Sequence, residues 1–387
     1  MKQTIEHIDV AGKRVLMRVD FNVPMHGGAI SDDRRIQMAL PSIQSVLDRG
    51  GSLTLMSHLG RPTGNGFEQA YSLAPVAKRL GELLSEKVVC SDDDESSKIV
   101  LLENVRFHKG EKTGDEAYAK TLATKGDMYC NDAFGAAHRN HASMVAVPEM
   151  MKGKPRVAGL LLAKELQYLD HAITHAKKPF VAVLGGAKVS DKMGAIENLL
   201  GKVDTILIGG AMAYTFLVAK GVQVGASLVE ADRIEDASRI IELSSKSKTS
   251  LVFPGDHVCA QKIETGAETR ASVGAIPGGW MALDIGTDTA KRYAEILTCA
   301  KTIIWNGPMG VFEMEPFDAG TRRVAEAIAN ATANAAMSIV GGGDSAAAIS
   351  LFGLDAQMTH ISTGGGASLQ MLEGKAFKSV AMLDDAV

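Results

Sequence analysis

No stretch of this 387-residue chain is apolar for long enough to cross a bilayer as a helix, which argues against a membrane partner. Met1–Val10 lacks the basic-then-apolar pattern of an export signal, so a cytoplasmic location is the expectation. Cysteine is confined to Cys90, Cys130, Cys259 and Cys299, widely scattered and with no CxxC pair. That spacing suits reduced, unpaired thiols and not a disulfide framework. Neither sign of charge dominates: the net charge is −4, which gives no basis for a nucleic-acid partner. Two common phosphate fingerprints are missing as well. There is no GxxxxGK[ST] and no clean GxGxxG after a strand, so P-loop and simple dinucleotide readings lose ground. Aromatic residues are scarce at 5%.

Glycine, by contrast, is abundant, with 40 residues. Its placement carries the argument. In Ser338-Ile-Val-Gly-Gly-Gly-Asp-Ser345 an apolar run ends in three glycines, then a carboxylate, a hydroxyl and an alanine-rich helix expected to begin near Ala346. Bare backbone lets a ligand come close, and the helix N-terminus favours an anion. Asp344 suits a hydrated Mg²⁺ set against phosphate oxygens. A tight turn with a helix cap at Asp344 or Ser345 explains this one loop equally well.

The chain repeats the design. Val15–Val19, Leu53–Ser57, Ile99–Glu103 and Met128–Asp132 read as buried strands, each followed by polar residues. Helical periodicity marks Arg34–Arg49 and Leu73–Leu84 between them. Strands are expected again at Phe180–Leu184, Thr205–Ile208, Ser250–Phe253, Thr302–Trp305, Met337–Val340 and His360–Ser362. Strand and helix in alternation predict α/β architecture: two doubly wound, mostly parallel sheets of Rossmann-like type. Length alone favours two domains. Gly159–Ala176 reads as a long amphipathic helix with no strand before it, and is the expected connection between two lobes across a cleft. Ser91–Ser97 is a charge run expected to be a solvated loop.

Ligands of open parallel sheets bind beyond the carboxyl ends of the strands, and the two halves differ there. Residues 1–158 carry 21 Lys+Arg against 20 Asp+Glu, with ten arginines; the remainder carries 20 against 25, with six arginines. The first half offers Asp20, Asn22, Arg35, His58, Arg61, Arg106 and Arg139. Guanidinium forks clamp phosphate or carboxylate in bidentate fashion, so a small polyanion is implied. Taken singly, each arginine is better explained as a surface or ion-paired residue, and His58 or His138 has a structural role as its alternative. The second half offers glycine loops plus Lys188 and Lys192, expected one helical turn apart on the same helix face. Solvated lysines on a helix are the plain alternative. Gly364–Gly366, ahead of a helix at Ala367, forms another anion cradle.

Arg18-Val-Asp-Phe-Asn-Val-Pro24, Ser57-His-Leu-Gly-Arg-Pro62, Leu102-Glu-Asn-Val-Arg-Phe107 and Asn131-Asp-Ala-Phe-Gly135 follow in order along the first half. Gly185-Gly-Ala-Lys-Val189, Trp305-Asn-Gly-Pro-Met-Gly-Val-Phe-Glu313, Gly341-Gly-Gly-Asp-Ser345 and Ser362-Thr-Gly-Gly-Gly-Ala-Ser368 continue through the second. Together they closely resemble phosphoglycerate kinase along nearly the whole chain. The resemblance implies an N-terminal lobe (1–158) that binds 3-phosphoglycerate or 1,3-bisphosphoglycerate, a linking helix (159–176), and a C-terminal lobe (177–367) that binds ATP or ADP with Mg²⁺. It also implies that 368–387 returns to the N-terminal lobe, and that the enzyme is a monomer. Asp20, Phe21, Asn22, Arg35, His58, Leu59, Gly60, Arg61, Arg106 and Arg139 would hold the triose. Lys188, Lys192, Gly210, Ala211, Asn306, Pro308, Glu313 and Gly342, Gly343, Asp344 and Ser345 would hold the nucleotide, with Glu313 at the ribose and Asp344 at the metal. Arg35, Lys188, Lys192, Gly343 and Gly365 would act on the transferred group.

Some positions depart from the family pattern. Ser345 stands where threonine is common, Met144 replaces a usual threonine, and Glu86–Lys98 is short, which puts a peripheral helix in doubt. Pro254-Gly255-Asp256 is unusual too.

The attacking group in the implied reaction is a carboxylate already ionised at neutral pH, so no general base is required. Alignment and charge neutralisation must do the catalysis, after lobe closure. A dinucleotide oxidoreductase and a non-catalytic solute-binding protein are the rival readings. The first lacks its fingerprint and the second an export signal.

Overall fold

Parallel strands buried on both faces need near-continuous apolar runs, and the runs read from the sequence are the strands of two sheets. The computed structural model describes residues 1–94 and 96–386. Glu95 of the charge run and Val387 lie outside the described residues. The chain divides into two compact units, Met1–Gln167 with Ala376–Val387, and Tyr168–Lys375.

In the first unit six strands run in the order Val89–Cys90, Ile99–Leu101, Ser52–Met56, Arg14–Arg18, Met128–Asn131, Arg156–Ala158, every pair parallel. Val15, Leu16 and Met17 of the central strand are fully buried. Each such side chain contributes roughly 1.5–3 kcal/mol relative to exposure. Helix Arg34–Asp48 sends Ile36, Ala39, Ile43 and Val46 into the same core. That spacing is the apolar stripe of a 3.6-residue period.

The second unit repeats the plan. Its strands lie in the order Ser250–Val252, Thr205–Ile208, Phe180–Leu184, Thr302–Asn306, Met337–Gly341, His360–Ile361, again all parallel. An added antiparallel sheet of Thr269–Val273, Asp256–Ala260 and Met281–Ile285 was not foreseen. Asp256 of the unusual Pro-Gly-Asp run serves this region. Its carboxylate accepts from the Thr289 backbone N–H at 2.7 Å and so ties down the start of helix Thr287–Thr298.

Four expectations need correction. The long helix, Leu160–Thr174, does have a strand directly before it, Arg156–Ala158; three residues are too few to stand out by pattern. The helix expected near Ala346 begins at Gly343, so Asp344 sits in its first turn and Gly342 is the N-cap. Lys188 and Lys192 do not share a helix, because the helix starts at Met193 with Lys192 at its N-cap. Residues 368–375 belong to the second unit, where helix Gly365–Leu372 lies, and the return begins at Ala376.

Between Glu86 and Lys98 the described residues form no helix. Met144 is fully buried, and nothing in the structure explains why methionine stands there.

Candidate active site

Arg35, first in its helix turn after Arg34, meets Asp20 just past the end of the Arg14–Arg18 strand: Nη1 donates to Oδ2 at 2.9 Å. Asn22 Oδ1 accepts from the Gly60 N–H at 2.8 Å, joining the loops after two neighbouring strands. Arg106 donates from Nη1 to the Gly60 carbonyl at 2.7 Å. His58 is buried, and Arg139 is half-buried. Arg61 is exposed on the following residue of the same loop.

These groups feel one another. Burial, and after it the charges of Arg139 and Arg18, push Arg106 down to about 10. Arg139 is lowered by burial, with Asp20 opposing the shift and Arg18, Arg61 and Arg35 adding to it. His58 is held well below its ordinary value, first by burial and then by Arg18, Arg106, Arg139 and Arg35. Mutual repulsion of this kind means the guanidinium groups converge. Arg106 Nε is moreover buried without a hydrogen-bond partner, a cost of about 1–3 kcal/mol that an anion would relieve.

Not every residue expected here presents a side chain. Phe21 and Leu59 belong to the hydrophobic core, fully buried or nearly so. They can reach a ligand through backbone atoms alone. Sequence reasoning missed Arg18, Ser143 and Glu111, which lie buried behind His58. The only available signal was an arginine inside the apolar run Val15–Val19.

The second unit has a cavity of about 670 Å³ that Lys188, Lys192, Asn306, Gly342, Gly343, Asp344, Ser345 and Gly365 help to line. Lys192 Nζ donates to Asn306 Oδ1 at 2.6 Å, and burial lowers its pKa. Asn306 Nδ2 stays buried and unpartnered. The Ser345 hydroxyl accepts from the Gly307 N–H at 2.7 Å, tying the two glycine loops together. Gly342 adopts φ +96° and ψ 138°, a region open almost only to glycine. A Cβ on Gly185 would lie 2.1 Å from the Pro308 carbonyl oxygen, so glycine there permits the close crossing of two strand-end loops.

A neighbouring cavity of about 530 Å³ is lined by Gly210, Ala211, Pro308, Glu313 and Asp344, with Tyr214, Leu228, Ile263, Met281 and Leu283. It is largely apolar and shares Gly186, Ala187 and Asp344 with the first. Ile263 and Met281 come from the unforeseen antiparallel region, which carries no motif. Apolar slot beside glycine-lined cradle is the arrangement of a base next to its phosphates.

The family profile described as phosphoglycerate kinase matches residues 5–375. A phosphoglycerate kinase of Rhodopirellula baltica is 57% identical over 401 residues, covering 100% of both chains. The solved phosphoglycerate kinase of Coxiella burnetii superposes with a TM-score of 0.90 at 39% identity, covering 99% of this chain and 98% of that one. That of Pyrococcus horikoshii gives 0.85 at 32% identity, with the same coverage. With two sheets of one plan, an arginine basin on one and glycine cradles on the other, the chain belongs to the phosphoglycerate kinase family.

Proposed function

We propose that the chain carries out its family's reaction with the acceptor on the first unit and the donor on the second. That reaction is reversible phosphoryl transfer between ATP and the carboxylate of 3-phosphoglycerate. The observation that carries the assignment is the unlike chemistry of the two sites. Arg35, Arg61, Arg106 and Arg139 converge with Asp20 as their near counter-charge, and an anion with a phosphate and a carboxylate answers that surplus. Asp20, Asn22, His58 and the backbone of Phe21, Leu59 and Gly60 frame it.

In the second unit the side chains around Lys192 include Asp191, Asp344 and Glu373. Carboxylates facing a polyphosphate repel it unless a cation lies between, so the donor set fits Mg²⁺, with Asp344 as its protein ligand. When bound, the ion supplies neutralisation of phosphate charge. Lys188, Lys192 and Asn306 flank the phosphates, and the N–H groups at Gly342, Gly343 and Gly365 offer backbone donors. Ser345 keeps the loop pair closed. Gly210, Ala211, Pro308 and Glu313 hold the base and ribose.

Because the acceptor oxygen is already an anion, these residues need move no proton. Arg35 and Lys188 neutralise the transferred phosphoryl group, and the segment around Leu160–Thr174 bends to bring donor and acceptor into line. In this reading the protein acts as a monomer in the cytoplasm.

A coupled assay tests the reading: ATP consumption must require 3-phosphoglycerate. Consumption without it, or none with it, removes the assignment.

A further inference from the structure

Behind the arginine basin lies a buried chain of polar groups that the proposed reaction leaves unused. Arg18 is fully buried in the central strand. Its Nη1 donates to the Val19 carbonyl, its Nε to Ser143 Oγ at 2.9 Å, and its Nη2 contacts His58 Nδ1 at 3.1 Å. Ser143 in turn donates from Oγ to Glu111 Oε1 at 2.7 Å, and its backbone N–H donates to Oε2 at 2.9 Å. Glu111 is fully buried. The three bonds of the guanidinium therefore run to a carbonyl, to a hydroxyl backed by a carboxylate, and to a histidine ring.

A guanidinium has five N–H donors and no acceptor. Wherever it meets an imidazole nitrogen, that nitrogen must be the acceptor. His58 Nδ1 is thus unprotonated, and the neutral ring carries its proton on Nε2. The competing arrangement would put a proton on Nδ1 and point it at Asp20 Oδ1. That oxygen is 3.8 Å away, beyond hydrogen-bond reach, and the other carboxylate oxygen of Asp20, Oδ2, already accepts from Arg35 Nη1.

We propose that Arg18 is a positioning residue for the acceptor site, fixing His58 as the neutral Nε2–H tautomer so that the ring presents a hydrogen-bond donor and not a charge, with Ser143 and Glu111 holding Arg18 in register. The consequence for the ligand rests on reading this unit as the triose site; the tautomer does not.

The surroundings are consistent on every side. His58 faces Arg18 from its own sheet, Arg35 from the first helix, Arg106 and Arg139 from later loops, and Asp20 of opposite sign. A protonated ring among four arginines would be repelled by all of them, and a buried histidine favours neutrality already. At the far end burial raises the Glu111 carboxyl. Neighbouring His141 and Ser143 and the Arg18 charge outweigh that and hold it below its ordinary value. Glu111 therefore stays an anion and Arg18 keeps its counter-charge through the hydroxyl between them. A donor set by structure and not by protonation keeps triose binding level as pH crosses the usual histidine range.

The direct test is the ring ¹⁵N spectrum of His58 in the full-length, unliganded protein. The expected pattern is a bare Nδ1 and a protonated Nε2, unchanged from mildly acidic to mildly alkaline pH. An imidazolium pattern near neutrality, or a protonated Nδ1, overturns the proposal. Arg18→Met frees Nδ1 to turn toward Asp20. The proton should then spread to Nδ1, and KM for 3-phosphoglycerate should rise on the order of tenfold while KM for MgATP stays put. An unchanged 3-phosphoglycerate KM in that variant overturns the positioning role. Should Arg18→Met fail to fold, Ser143→Ala leaves the guanidinium in place but unlatched, and a partial shift of the same tautomer signal is expected. An unshifted signal removes Ser143 and Glu111 from the proposal. If the wild-type spectrum is as expected but 3-phosphoglycerate is no substrate, the tautomer lock stands and the functional reading alone falls.

Discussion

Arg35 pairs with Asp20 at 2.9 Å and keeps about a third of its side chain exposed. Its proposed task is to meet charge that develops in the transition state, which separates turnover from binding. Arg35→Ala is therefore expected to lower kcat on the order of 10²–10³-fold, with KM for MgATP nearly unchanged. Steady-state kinetics with each substrate varied in turn checks it, and equal losses in both would take Arg35 out of the transition state. Lys188→Met should lower kcat similarly. Near-normal turnover would pass the role to Lys192, which is already engaged with Asn306.

Strand and helix assignments came readily from apolar runs, as with Phe180–Leu184, whose bounds are those read from the sequence. Boundaries set by backbone conformation did not. Gly342 follows a strand that ends at Gly341 and caps a helix at φ +96°, and that helix starts three residues before the alanine run that advertises it. The antiparallel strand Thr269–Val273 is mostly exposed, so no hydrophobic alternation marks it. The arginine basin was legible because Arg61, Arg106 and Arg139 lie in the loops that follow strands. Glu111 and Ser143 were not, since a buried charge network pairs residues 32 apart, beyond any local pattern. Gly342→Ala forces a side chain into a glycine-only conformation without a steric clash, since its Cβ would meet nothing nearer than 3.5 Å. It should cost about 1–3 kcal/mol in thermal unfolding and raise KM for MgATP while sparing that for 3-phosphoglycerate.

The Leu160–Thr174 helix offers a second test. Asp132 Oδ1 accepts from the Leu162 N–H at 3.1 Å, just inside the helix start, and Ser42 Oγ accepts from Leu160 N–H at 2.8 Å. Burial pushes Asp132 up to about 7. The unfolded chain releases that proton near pH 3.9, so in the window between the two values the folded state binds more protons. Asp132's contribution to stability is complete below that window and declines as pH rises through it. Asp132→Asn does not titrate. Its stability relative to the natural chain should improve by about 1.4 kcal/mol for each pH unit of the window, read from denaturant unfolding at several pH values. A constant difference would contradict the shift.

Two compact units, each with its own sheet and its own anion chemistry, make the protein divisible in function as well as in structure. Changes confined to one unit should touch one substrate. The most direct measurement is a crossed set of Michaelis constants for Arg61→Ala and Arg139→Ala in the first unit and Gly342→Ala and Asp344→Asn in the second. The account predicts that the first pair raises KM for 3-phosphoglycerate alone and the second pair KM for MgATP alone. If all four raise both constants together, or the pattern is reversed, the two sites are not the separate acceptor and donor sites proposed here.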